Sequence, residues 1–166
     1  MFGYAGQPIL NCGKVRVVDI PYELTPYEPP IDLAEVKMNT GDIQSPCVVI
    51  NYSQNLEFTF EDLNPVLSIV YRLVRRSNPT GNLIVLNEWN YRVSEVIPTT
   101  VQNVDTTEPL VINYCDCLDD NCGKSFTYIL QIAEIVTENT SFNISNQEIS
   151  GIVSCGAMVD EKCNMM

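Results

Sequence analysis

The sequence predicts an all-β protein, a jelly-roll-like two-sheet β-sandwich with an N-terminal arm. Short runs rich in β-branched and aromatic residues recur along the chain, turn residues separate them, and no stretch of useful length sets apolar residues at helical spacing. The 166 residues suffice for one domain and its tails, since a single core commonly takes about 100–150 residues. The division read from the sequence is an arm over 1–7, a sandwich over 8–154 and a tail over 155–166.

Taken in order, strands are predicted at Pro8 to Leu10, Val15 to Ile20 and Ile31 to Met38, the last two separated by a segment from Pro21 to Pro30 that carries four prolines. Cys47 to Tyr52 and Leu56 to Phe60 follow as two strands. In the second, Leu56, Phe58 and Phe60 fall on one face and Glu57 and Thr59 on the other. Val66 to Arg75 is apolar on both faces through Val74, as a central strand under a second layer would be. Asn78-Pro79-Thr80-Gly81 is a turn, leading to strands at Asn82 to Leu86 and Tyr91 to Val96 with a turn over Asn87 to Tyr91 between them. Leu110 to Tyr114, Phe126 to Val136 and Glu148 to Val153 complete the set, with a polar loop at Asp119 to Gly123.

Composition narrows the function. Nine Lys and Arg against 21 Asp and Glu give a net charge of −12. Such a surface repels a phosphate backbone, and the run Arg72, Arg75, Arg76 does not reverse it. Histidine is absent, which removes the imidazole of nucleophilic triads and of metal sites. Pairs of acids such as Glu57 with Glu61, or Asp119 with Asp120, are read as surface charge rather than as a catalytic pair. The expectation is a protein without catalytic residues or cofactor. No apolar run is long enough to span a bilayer and no signal peptide is read at the N-terminus. Neither nucleic acid nor membrane insertion is expected.

Seven cysteines, Cys12, Cys47, Cys115, Cys117, Cys122, Cys155 and Cys163, are many for a reducing compartment and odd in number. The densest group is Tyr114-Cys115-Asp116-Cys117 with Cys122 after it. It reads as a disulfide framework within or between molecules. Zinc on three thiolates with a fourth ligand from Cys47, Cys12 or an acid, or calcium on Asp116, Asp119 and Asp120, are the other readings. Trp89 with Tyr91 is the one candidate aromatic platform for a carbohydrate or surface ligand, against the plainer reading of packing.

The pieces Pro8-Ile9-Leu10-Asn11-Cys12-Gly13, Ser45-Pro46-Cys47-Val48-Val49-Ile50, Tyr114-Cys115-Asp116-Cys117 with Cys122, and the strand from Phe142 to Ile152 resemble an uncharacterised family, domain of unknown function 4489, of clostridia and other anaerobic spore formers. The resemblance covers about Pro8 to Val153. Its setting is similar to that of endospore appendage subunits, small jelly rolls that build spore-surface fibres through an N-terminal arm and disulfides. The resemblance implies a self-assembling structural subunit at the spore surface or outside the cell, its partner being itself in a helical homo-polymer. The connecting arm would carry Phe2, Tyr4, Ile9 and Leu10, and Cys12 with Cys155 or Cys163 would link copies. This chain departs from the appendage pattern in its short arm and single Cys12.

Overall fold

The computed structural model describes residues 7–41, 43, 45–95, 103–118 and 124–155. They form β1 (Ile9–Cys12), β2 (Lys14–Val15), β3 (Ile31–Asn39), β4 (Pro46–Phe60), β5 (Val66–Asn78), β6 (Leu83–Ser94), β7 (Val104–Cys117), β8 (Ser125–Glu138) and β9 (Thr140–Cys155). Sheet I has the order β1-β9-β4-β7 and sheet II the order β2-β3-β8-β5-β6. The pairs β1 with β9, β3 with β8, β4 with β7 and β5 with β6 are all antiparallel. They nest like one long hairpin rolled up, so the expected jelly-roll sandwich is the fold observed. The predicted arm before residue 7 lies outside the described residues.

Three predicted boundaries are corrected. The polar stretch Ser53-Gln54-Asn55 was expected to divide two strands, yet β4 runs unbroken through it. Gln54 is accommodated because it is buried with partners. Its amide donates to the Tyr71 hydroxyl at 2.7 Å, and its carbonyl oxygen accepts from the Tyr52 hydroxyl at 2.7 Å. A bulge in β9 opposite Gln54, with Asn146 at φ +50°, places Gln147 Oε1 3.0 Å from the same Tyr52 hydroxyl. The predicted turn over Asn87 to Tyr91 is likewise the middle of β6, where Trp89 faces Tyr71 in register. Of the predicted strand Val15 to Ile20 only Val15 is extended, as the second residue of β2, and Val17 beyond it is fully exposed.

Gly13 lets the chain step from sheet I to sheet II between β1 and β2. A Cβ there would collide with the Glu35 carbonyl oxygen and the Ile149 side chain. The core between the sheets is set by alternation: Leu67, Ile69, Tyr71 and Leu73 of β5 face Ile50, Tyr52 and Leu56 of β4, all at most 1% exposed. On the other side of sheet II, Val74 and Ile129 are buried too, Ile129 standing beside Glu35 in the register. Here the arginines divide. Arg72 faces outward and pairs with Glu88 at 2.7 Å, whereas Arg75, one face over, points into the sandwich. Strand alternation thus splits the basic run seen in the sequence.

Candidate functional site: the cysteine-bearing end of sheet I

Antiparallel pairing brings one end of each strand of sheet I together. The start of β1, the end of β9, the start of β4 and the end of β7 lie side by side, through Ile9 opposite Val153, Pro46 opposite Cys155 and Cys47 opposite Cys117. The outer ends of the first and last described strands, Ile9 and Cys155, therefore both lie at this place. The sequence-distant Cys47 and Cys117 meet in register and form a disulfide. Cys115, two residues along the same face, has its Sγ 3.7 Å from that of Cys117. A framework of disulfides, one of the readings open from the sequence, is thus present in at least this one bond.

Asp116 lies between those cysteines in sequence but on the opposite face. Its carboxylate is buried between the sheets, where it accepts from Arg75 Nη1 at 2.5 Å and from the Tyr128 hydroxyl at 2.8 Å. Arg75 also lies over the Phe126 ring, 5.2 Å from its centre, and its Nε is buried without a hydrogen-bond partner among the described residues. This knot clamps β7 of sheet I onto β5 and β8 of sheet II beneath the disulfide. Asp116 therefore faces away from Cys115 and Cys117, because neighbours in a strand point to opposite faces, and among the described residues no group of three or more Cys, Asp or Glu is placed to hold a metal ion. Asp119, Asp120, Cys122 and Cys163 lie outside the described residues.

The outer face of sheet I carries a row of apolar and sulfur side chains across all four strands at this end: Leu10 beside Ile152, Ile152 beside Val49, and Val49 beside Cys115. Leu10 is 62% exposed. None of the nine lysines and arginines lies in a strand of this sheet. Farther along, the face turns polar, and Glu57 accepts from Ser145 and Asn143 there. Cys12, one row in from Leu10 on the same strand, is exposed.

The proposed arm divides as well. Ile9 and Leu10 belong to β1 and pair with Val153 and Ile152 of their own chain, so they are sheet residues rather than a projecting arm. Phe2 and Tyr4 lie outside the described residues. Trp89 is half-buried, its ring meeting Tyr114 edge to face at 6.2 Å between centres. Its neighbour Tyr91 donates to Glu108 across the sandwich at 2.6 Å. Both side chains serve the seam between β6 and β7, the edge strands of the two sheets.

Two features escaped the sequence reading. One is the Arg75–Asp116–Tyr128 knot, which no spacing rule links. The other is the apolar edge Leu83-Ile84-Val85 of β6, with all three residues 46–52% exposed. A run of three apolar residues on an outer strand was the available signal. It sits where β6 starts, at the same end as the cysteines, because Leu83 faces Arg76 near the close of β5.

No curated protein matches the chain. The family model described as a domain of unknown function (DUF4489) matches residues 6–157, from the last residues of the predicted arm through the whole of β9, and the chain belongs to that family.

Proposed function

We propose that this protein is a structural subunit that assembles with copies of itself into an extracellular or spore-surface filament. The observation that carries the reading is the gathering, at one end of the sandwich, of the start of β1 and the end of β9, the Cys47–Cys117 disulfide with Cys115, and the exposed apolar edge Leu83-Ile84-Val85. Edge strands β6 and β7 are 12 and 14 residues long and each has a ladder partner on one side only. Stable monomers commonly shorten or charge such edges. A strand contributed by a neighbour, the arm with Phe2 and Tyr4, would fill the β6 edge with main-chain hydrogen bonds. A contact between the arm of one copy and the edge of the next is heterologous, and repeated with a rotation that does not close it would generate a helical filament. Disulfides between copies would then make the joint covalent. The spore-surface setting follows the likeness to endospore appendage subunits.

Negative-stain electron microscopy of the purified chain, with and without reductant, tests this beside two variants: a chain starting at Pro8, and Ile84→Lys, which charges the edge. Filaments or sheets that disappear in both variants are the expected result. A uniform monomer for the parent chain in every condition refutes self-assembly.

A further inference from the structure

β9 is covered unevenly along the edge that faces away from β4. Over residues 150–153 it pairs with β1, and that cover ends where the Gly13 N–H donates to the Ile149 carbonyl at 2.8 Å and the chain steps across to sheet II. Over residues 141–145 β9 keeps its pairing with β4, yet it has no ladder partner on the other side among the described residues. The bulge at Asn146 separates the two stretches. Residues 141–145 therefore present alternate N–H and C=O groups along an open edge. Neither a proline nor a charged side chain, the usual means of blunting such an edge, occurs among them. β7, the opposite edge of the same sheet, carries Pro109, a residue that hinders strand addition.

The open stretch borders a groove of about 520 Å³, with β9 as one wall and residues 15–20 with Tyr22 as the other. The second wall continues from β2 by one bond, from the Arg16 N–H to the Leu33 carbonyl at 2.8 Å, and forms no ladder with β9 among the described residues. Its Val17, Val18 and Tyr22 are exposed, and the Tyr22 ring stands edge to face to Phe142 at 6.0 Å. On β9, Phe142 and Ile144 turn inward, opposite Phe58 and Leu56, while Ser141, Asn143 and Ser145 turn outward. The charge here is acidic. Arg16 is held by Asp32 and Glu35, which leaves Asp19 on the groove wall, and Asn143 Nδ2 donates to Glu57 at 3.3 Å on the outer face. No strand of sheet I supplies a Lys or Arg to offset them.

We infer that this groove is a docking site for a partner's extended peptide, which adds a strand to β9 at residues 141–145 with apolar side chains on its inward face and lysines on its outward face. Main-chain hydrogen bonds to β9 supply the attachment and alternate side chains the selectivity. The added strand lies about 4.8 Å from β9. Its inward side chains fall beside Phe142 and Ile144 under Tyr22, and its outward ones fall beside Asn143, where the field of Glu57 and Asp19 favours a cation. The site lies on the flank of β1 and β2, opposite the β6 edge, so the inference does not rest on self-assembly.

Hydrogen exchange read by mass spectrometry tests this on the full chain. The probes are the capped peptide Lys-Val-Lys-Ile-Lys-Val-Lys, the same peptide with glutamate for lysine, and a fully N-methylated version that keeps the charge and loses the main-chain donors. The lysine peptide should slow exchange across residues 141–145 at least tenfold, and the other two should leave it unchanged. Asp19→Lys with Asn143→Lys, both at exposed positions, should weaken the lysine peptide at least tenfold in fluorescence anisotropy and admit the glutamate peptide. Ile84→Lys, on the opposite flank, should change neither. No added protection with the lysine peptide overturns the inference, and so does equal protection by the N-methylated one, which would reduce the contact to surface charge. Protection that falls on β6 instead also overturns it, as does slow exchange across 141–145 that needs no peptide and grows with protein concentration, which would make the occupant a second copy. Electron microscopy of the same samples reads self-assembly separately.

Discussion

The two outer faces of the sandwich are built from the same strand geometry and finished in different ways. On sheet II, Arg16 bridges Asp32 at 3.1 Å and Glu35 at 2.5 Å, Arg72 meets Glu88, and Gln131 donates to Asp32 at 2.7 Å. These side chains stand around Val74 and Ile129 and present charge of both signs to water. On sheet I no strand supplies a cation, one end is apolar and sulfur-bearing, and a disulfide takes the place that ion pairs hold opposite. A face furnished with exchanging ion pairs tolerates solvent, whereas a face of Leu10, Ile152, Val49 and cysteine gains by being covered. On the function proposed above, this end of sheet I is the part of the two faces that a second copy would cover.

The largest effect should come from beneath that face. Asp116→Ala leaves Arg75 buried without its anion and the Tyr128 hydroxyl without its acceptor, and denaturant unfolding should show a loss of about 3–5 kcal/mol. Arg75→Met combined with Asp116→Leu should restore most of it, because replacing both members of a buried pair by apolar groups is often neutral. A mild effect of Asp116→Ala alone would mean that sheet I is held to sheet II by packing only.

Next comes the covalent link. Cys47→Ser with Cys117→Ser opens a closure of sequence separation 70 and should cost about 2–4 kcal/mol. Removing the Arg16 or Arg72 ion pairs from the outer face of sheet II should not approach this, and a comparable loss there would erase the contrast between the faces.

Alkaline pH probes the shared interior. Burial pushes the Tyr52, Tyr71, Tyr91 and Tyr128 hydroxyls well above the usual tyrosine range. Below about pH 10, the ordinary tyrosine value, both folded and unfolded chains hold these protons and the contribution to stability is complete. As pH rises past that value the unfolded chain releases protons that the folded chain keeps, so stability must fall. Thermal unfolding followed from pH 8 to 11 should show this decline. In Tyr71→Phe, which removes one of the four, the decline should be shallower, while neutral-pH stability drops by about 1–3 kcal/mol because the buried Gln54 amide loses its acceptor.

The smallest effects belong to sheet II. The hydrogen bond from Arg16 holds the Glu35 carboxyl below the usual range, so its contribution is present above the ordinary carboxylate value and is lost as pH falls through the lowered one. Arg16→Ala should cost no more than about 1 kcal/mol, the measure of exposed pairs, and less in high salt. Unfolding midpoints at low and high ionic strength check this.

Much of the fold was legible in the residues and much of the site was not, for one physical reason. Alternation along a strand is local, so the β-class, the apolar faces of β4 and β8 and the double-sided burial of β5 could be read directly. Register is not local. That Cys47 faces Cys117, that Arg75 meets Asp116 while Arg72 meets Glu88, and that Trp89 rests on Tyr114 depend on which strands neighbour each other and by what offset. The polar break at Ser53-Gln54-Asn55 misled for the same reason, since the Gln54 amide finds its acceptor in Tyr71 of β5 across the sandwich, and the Tyr52 hydroxyl that donates to Gln54 also meets Gln147 of the β9 bulge.

The position of β9 has a consequence in time. It is the last of the described strands to be synthesised and yet sits between β1 and β4 in the middle of sheet I. Until residue 155 has left the ribosome, β1 has no partner in its own sheet and β4 has one open side. Sheet I is thus completed only after translation of the domain is over, whereas most of sheet II, through β8, can pair earlier. During that interval β1 and the open side of β4 are unfilled strand edges, and only β9 completes them.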